Sequence, residues 1–598
     1  MAKVRSSLVF FAGFVMLTAF ATPGFSQSYP PEVLAFADTV YYNGTVLTVD
    51  SEATVVEGVA VRDGKILATG SNEYVRRLAG PETEQVDLEG KTLVPGFIDT
   101  HTHPNRRTLR TYFNELPGEV KELLRASGAI TKTRNKAHAL EQIRQFAAGE
   151  KGTWVKINGD RTDLANHQLR LAELDEAVPD RPLFIMLSGW WGIINSRTLE
   201  ELQKNYGEKV PGLLEEDGKL TGHVMGTAYW MVREELLPKP PVEVLAKYLG
   251  RYLLERLAPE GITTFSTRLA AHEIRAYRMA EQQGTLPLRL AFGHEVGRWN
   301  PRFVRDMNRV MTDIMGYGTD RVWLNSISIG IPDSNPLTGS GSICSTFPKL
   351  QLRPDEHFTK GLCLWEIPGD PTRQTILEIN RRGYRVANTH TYGDLGLQMA
   401  IETLEKANQE RPLHPLTALD HSQMFNPTVI RKSGELGMIW SLDIGMFSGP
   451  RGEAVEITYG KEVIDRMLSP VRSLLDAGAL VSFEGGDPMI SFATFVTRKT
   501  ESQGNPAYIR GAREAVDRLT ALRILTINGA KYVLKEDVLG SIEPGKWADL
   551  VVLDRNPLDP AVPDDELENI QVLQTIVEGE VIYDGAGAGT ASARAEAE

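Results

Sequence analysis

The sequence predicts an α/β protein: a parallel (β/α)8 barrel with a long insertion, flanked by a small β domain built from both chain ends. Three observations predict it. From Gly261 onward, short apolar strands alternate with helical stretches, the rhythm of βα units. Both ends of the chain instead carry short strands broken by turn residues. Histidines and an aspartate stand just past several of the apolar runs, where such a barrel gathers its chemistry.

Taken from the start, Lys3 and Arg5 precede an apolar run from Leu8 to Phe20, then Ala21 and Pro23-Gly24. That order of charged, apolar and small residues is a secretory signal over residues 1–27. The run is too short for a comfortable membrane span, so the expectation is a periplasmic or secreted protein without stable membrane insertion once the signal is removed. At 598 residues, with 42% hydrophobic and 24% charged residues, the chain has an ordinary globular composition and room for more than one core. A net charge of −13 argues against a nucleic-acid partner, which needs a basic face. No phosphate-binding glycine pattern supports a nucleotide cofactor. Cys344 and Cys363 are the two cysteines; buried free thiols are favoured slightly over a disulfide.

Between residues 36 and 93 the strands are Thr39–Tyr42, Thr45–Val49, Gly58–Val61 and Lys65–Ala68. Asn43-Gly44 and Asp63-Gly64 are read as hairpin turns between them, since these residues accept positive φ cheaply. Residues 538–584 show the same character in Ala548–Leu553, Gln574–Val577 and Gly579–Tyr583. Neither group has enough strands for a core; together they make one β-sandwich. The tail, 585–598, is Gly/Ala-rich with alternating charge and reads as disordered.

The barrel is placed at 94–537, with Phe97-Ile98 as its first strand. An irregular insertion follows over about 105–260, containing strand-like Thr153–Ile157 and Pro182–Leu187 and a helical stretch from Val242 to Leu257. The remaining strands are Ile262–Phe265, Leu288–Phe292, Val322–Ile329, Tyr384–His390, Thr417–His421, Gly437–Ser441 and Ala479–Phe483, eight in all for a TIM-like barrel.

The first strand runs into His101-Thr102-His103. Residues i and i+2 of a strand share a face, so both imidazoles can aim at one point, and imidazole is the commonest ligand for zinc. His390, His421 and Asp487 each follow a later strand, and their joint position makes the metal reading strong. The run Val94-Pro95-Gly96-Phe97-Ile98-Asp99-Thr100-His101-Thr102-His103 resembles the opening barrel strand of the amidohydrolase superfamily, and the later segments are most similar to its amidohydrolase 3 family. The resemblance implies a flanking composite domain and a metal set of His101, His103, His390, His421 and Asp487. It further implies that Asp487, and His421 in a single-metal site, carry catalysis. Gly485-Gly486 fits a tight chain path that lets the Asp487 carboxylate approach, and Asp487 is the expected general base and acid.

Two departures qualify this pattern. Binuclear members bridge their metals with a lysine on the fourth strand, but here that strand has none; Glu366 and Asp333 are weak substitutes, so one zinc-like divalent metal is favoured over two. The loop Ser188–Gly192 carries Trp190 and Trp191 where the family usually has a histidine. Those tryptophans, His223 and His294 are the candidate substrate-binding residues, for a small-molecule substrate. The expected reaction is hydrolysis of a C–N bond, preferably an amide. A mononuclear deaminase of an amino-heterocycle, or a metal-retaining binding protein, stands as the alternative. Homo-oligomerisation stays open.

Overall fold

The structure is a computed structural model of the chain, describing residues 36–160, 164, 169–187, 191–295, 314–329, 344–346, 369–422, 424–444, 449–502 and 504–585. The predicted signal, Trp190, Asp333, Cys363, Glu366 and the tail from 586 lie outside the described residues. Residues 37–598 cluster as one compact unit.

Eight strands carry the site. We number them β1 (Phe97–Asp99), β2 (Ile262–Leu269), β3 (Arg289–His294), β4 (Val322–Ile327), β5 (His390–Thr391), β6 (Ala418–His421), β7 (Ile439–Asp443) and β8 (Leu480–Glu484). They form two four-stranded parallel sheets, in the orders β4-β3-β2-β1 and β5-β6-β7-β8. The sheets meet at both edges. Ile327 bridges Val386 in parallel, and the Thr100 N–H donates to the Phe483 carbonyl at 2.9 Å. Nearly every residue of these strands is buried, as parallel strands covered on both faces must be. The fifth strand is shorter than expected because Asn388 adopts φ 54°, which breaks regular pairing; its flanking backbone still bonds Ile327 and Ala418.

The chain ends share one six-stranded sheet, in the order Glu580–Asp584, Val572–Val577, Leu550–Leu553, Thr92–Pro95, Thr45–Leu47, Val55–Val56. A four-stranded sheet holds Lys65–Gly70, Gly58–Arg62, Ala37–Tyr42 and Ala79–Asp87. Tyr41, Val46, Val61 and Leu93 from the N-terminal side pack in one cluster with Ile542, Leu550 and Ile576 from the C-terminal side. Of the two expected hairpin turns, Asp63-Gly64 closes one, with Arg62 paired to Lys65. Asn43-Gly44 does not: it carries the chain from one sheet to the other, because Ala37–Tyr42 pairs with Gly58–Arg62 and Ala79–Asp87 instead. A Cβ on Gly44 would lie 2.5 Å from Leu88, so that corner requires glycine.

The insertion is more ordered than its sequence suggests. It contains a six-stranded mixed sheet ordered Leu213–Glu216, Lys219–Met225, Trp191–Ile194, Leu183–Met186, Val155–Gly159, Gly128–Ile130. The expected helix runs Val242–Arg256 and buries Leu245, Leu249 and Leu253. Arg289, at the start of β3, is fully buried and forms a two-pronged ion pair with Asp549 of the end sheet, at 2.7 and 3.1 Å. Cys344 is disulfide-bonded, so the expectation of free thiols does not hold. Among the described residues, no helix is long and apolar enough to cross a membrane.

Candidate metal centre

β1 ends at Asp99, whose buried Oδ1 accepts from the backbone N–H of His101 and of Gly485, each at 3.0 Å. One carboxylate thereby ties the histidine turn to the segment after β8. Burial pushes the Asp99 carboxyl up to about 6. Thr100 adds bonds to Ser441 Oγ at 2.7 Å and Ser482 Oγ at 3.1 Å, locking the end of β1 against β7 and β8.

His101 and His103 then turn their Nε2 atoms toward each other, 3.1 Å apart. Nδ1 of His101 lies 2.5 Å from Asp420 Oδ2, and Nδ1 of His103 lies 3.2 Å from Thr267 Oγ1. Asp420 also accepts from the Tyr532 hydroxyl at 2.6 Å. His421 repeats the pattern: its Nδ1 meets Glu484 Oε1, its backbone N–H donates to Glu484 Oε2 at 2.9 Å, and Ser441 Oγ donates to the same oxygen at 2.7 Å. A carboxylate that takes the Nδ1 proton fixes the tautomer and leaves Nε2 with a lone pair for a metal. His421 holds φ 67°, a conformation few non-glycine residues adopt and one found where a site over-determines the backbone.

The ligand atoms of His101, His103 and His421 lie within 4.8 Å of one another, as do those of His421, Asp443 and Glu484. His390 is adjacent, its ring centroid 4.4 Å from that of His421, and Tyr392 stacks on His421 at 5.3 Å. Asp487 belongs to neither group: it caps the helix Pro488–Thr497, its Oδ1 accepting from the N–H of Met489 at 2.8 Å and of Ile490 at 3.2 Å. Gly485 and Gly486 before it take φ 63° and 80°, which glycine alone adopts freely.

Electrostatics favour a bound cation. Burial holds His101 and His103 well below the usual imidazole range, and burial together with the nearby Arg268 guanidinium pushes His421 down to about 3. Neutral imidazole is the ligating form. Burial raises Asp420 and Glu484 well above ordinary carboxyls, helped by repulsion from Glu484 on the first and from Asp443 on the second, a cost that a nearby cation removes. Two Nε2 lone pairs facing each other at 3.1 Å repel, yet two ligands on one tetrahedral zinc sit ~3.3 Å apart given bonds of ~2.0–2.1 Å. The residues present therefore fit a divalent metal.

The substrate-side candidates are placed differently. Trp191 is fully buried in the core of the insertion, donating its indole N–H to His223 Nδ1 at 3.1 Å. Trp191 and His223 thus pack against each other, and burial lowers His223 to about 4. His294 ends β3, half-buried. Sequence reasoning missed Asp420, Glu484, Asp443, Thr267 and Arg268. Asp420 stands beside His421 and Glu484 ends an apolar strand, but neither position belongs to a motif that would mark it.

A model of the amidohydrolase family matches residues 84–583. N-substituted formamide deformylase of Arthrobacter pascens is 27% identical over 92% of this chain and 99% of its own. The putative amidohydrolase YtcJ of Bacillus subtilis is 24% identical, over 91% and 99%. An uncharacterized metal-dependent hydrolase from Pyrococcus horikoshii aligns with a TM-score of 0.58 at 20% identity, covering 87% of this chain and 98% of that one. One from Pyrococcus furiosus gives 0.57 at 19%, covering 87% and 100%; at these identities the likeness speaks for the fold. The family model spans most of the chain and the histidine cluster lies within it, so this protein belongs to the amidohydrolase family, metal-dependent hydrolases that act on carbon–nitrogen bonds other than peptide bonds.

Proposed function

We propose that this enzyme is an exported amidase that hydrolyses an amide of a small molecule with one divalent metal, zinc by preference, held by His101, His103 and His421. The observation that carries this is the pair of facing Nε2 atoms, 3.1 Å apart, whose opposite ring nitrogens are engaged by Asp420 and Thr267. When bound, the metal supplies polarisation of the scissile carbonyl and lowers the pKa of water to ~7. The chain's own residues do the rest. Asp420 and Glu484 hold the imidazole tautomers, and the buried strand ends keep bulk water from His101 and His421.

Asp487 takes and returns the proton. Both helix-capping N–H groups go to its Oδ1, leaving Oδ2 outside the cap. Asp443 is the alternative base, favoured by its place beside His421 and Glu484. A single metal is supported by the fourth strand, where Asn325, Ser326 and Ser328 bond other side chains and backbone and offer no anion.

The same proposal includes the architecture and the compartment. The edge contacts between β4 and Val386 and between Thr100 and Phe483 support eight strands closed into a barrel. The sheet shared by both chain ends supports a composite β-sandwich of 36–93 and 538–584. A signal-like N-terminus and a disulfide at Cys344 support export to an oxidising compartment. The test is to strip the metal, restore zinc, and screen formamides, other amides and amino-heterocycles. Zinc-dependent release of amine from an amide upholds the reading, and release of ammonia from heterocycles alone favours a deaminase.

A further inference from the structure

We propose that Tyr532 is a positioning residue of the metal centre: its hydroxyl relays the direction of the Asn388 peptide N–H through Asp420 to His101, so that His101 presents the Nε2 lone pair to the metal. This rests on the metal reading of the His101–His103–His421 centre.

Tyr532 ends the helix Ile527–Tyr532, which follows the last of the eight strands. It packs in one buried cluster with Trp323, Ala418 and Ile439, at or next to the first residues of β4, β6 and β7. The phenol thus enters from the strand starts, opposite the ends that carry the histidines. Its helix has little freedom to shift. A Cβ on Gly529 would lie 2.7 Å from Ile98 Cβ, so the helix presses directly on β1. Arg385 Nη1 donates to the Tyr532 carbonyl and Trp323 Nε1 to the Val533 carbonyl, each at 2.8 Å.

The hydroxyl joins two groups that nothing else joins. Asn388 is held at φ 54°, its side-chain amide bonded to Asn325 Oδ1 at 3.1 Å and Ser326 Oγ at 3.0 Å. A non-glycine residue keeps such a conformation where its surroundings over-determine it. Here the conformation delivers the Asn388 backbone N–H to the Tyr532 oxygen at 3.1 Å, and the hydroxyl donates to Asp420 Oδ1 at 2.6 Å. Asp420 Oδ2 lies 2.5 Å from His101 Nδ1. A peptide N–H can only donate, so the hydroxyl that accepts it sends its own proton to Asp420. The carboxylate is then an acceptor on both oxygens and takes the His101 ring proton at Nδ1. Arg268 and Arg385 are close enough to act on Asp420 by charge. Charge favours the anion without choosing between its two oxygens; the hydroxyl makes that choice.

Zinc titration of full-length protein against a competing chelator tests this. Tyr532→Phe should weaken zinc binding by about 10-fold. Trp323→Phe removes a bond to the same helix but leaves the relay intact; it should lower the unfolding midpoint and keep zinc affinity within about 2-fold of wild type. In the Asp420→Asn background the effect should vanish or reverse. There the hydroxyl holds the amide oxygen and turns the N–H₂ toward His101, so its removal lets the amide rotate. Wild-type zinc affinity in Tyr532→Phe overturns the proposal, as does an equal loss in Trp323→Phe or a full loss repeated in the Asp420→Asn background. If the wild type takes up neither zinc nor cobalt, the metal reading itself falls and the proposal falls with it, an outcome distinct from tight zinc binding that ignores Tyr532.

Discussion

Asp420→Asn isolates what the carboxylate behind His101 does. The wild-type side chain is fully buried and accepts from two groups, His101 Nδ1 at 2.5 Å and the Tyr532 hydroxyl at 2.6 Å. Asparagine has nearly the same shape but one acceptor oxygen. If that oxygen faces Tyr532, the amide N–H₂ faces His101 and forces the ring proton onto Nε2, which then cannot ligate. If it faces His101, the tautomer survives but a charge-assisted bond becomes a neutral one of about half the strength. Changes of this kind behind a metal-bound histidine cost about 10–100-fold in affinity, or ~1.4–2.7 kcal/mol. Zinc titration against a competing chromophoric chelator measures it. Burial disfavours the charged form of Asp420, so the metal-free variant should be at least as stable as metal-free wild type; lost affinity with retained stability marks a ligand-orienting role. A zinc affinity within about 2-fold of wild type would refute this account of the His101 tautomer.

Other substitutions probe different links. Asp487→Asn keeps a competent helix cap and should leave the unfolding midpoint unchanged while cutting turnover by ~10²-fold or more; near-normal turnover, with a large loss in Asp443→Asn, transfers the base role to Asp443. Arg289→Met strands the buried Asp549 carboxylate and should destabilise the protein by about 3–5 kcal/mol in urea unfolding, with zinc affinity unchanged. His223, lowered to about 4, contributes stability that is fully present above its unfolded value near 6.5 and lost as pH falls toward 4. Acidification from pH 7 to 5 should cost wild type about 2 kcal/mol through this residue, and His223→Gln should flatten that part of the profile. If the chain is exported as proposed, the mature protein from its native host, sequenced from its N-terminus, should begin between Ala21 and about Gln27; an intact Met1 on soluble cytosolic protein would contradict export and cleavage.

How much of this was legible depended on what kind of signal each residue leaves. Ile439–Asp443 and Leu480–Glu484 could be read because buried parallel strands are nearly continuous apolar runs of the right length. The insertion could be read only in part. Leu183–Met186 is such a run and Val155–Ile157 alternates apolar with polar, but Trp191–Ile194 and Lys219–Met225 contain glycines and a histidine and show no period. His101 and His103 were visible because their spacing encodes a shared direction. Asp420 and Glu484 were not, because an acid that works through the far nitrogen of an imidazole is specified by the packing of a neighbouring strand, and no motif records it. Asp487 presented two legible signals at once. An aspartate before Pro488 is both a candidate metal or proton-transfer residue and a good helix cap with proline at the first helical position, and the cap is the role visible in the structure. Arg268 lay inside a strand that mixes hydroxyl and apolar residues, Ile262–Leu269, where its burial shows only in three dimensions.

The central claim is that His101, His103 and His421 hold one metal on which hydrolysis depends. Metal content and amide hydrolysis measured on the same samples, before chelation, after chelation and after zinc is returned, test it directly. The account predicts close to one metal per chain, activity that falls and recovers in proportion to zinc, and no tight metal in the double variant His101→Asn/His103→Asn. Full activity in thoroughly metal-free protein would contradict it.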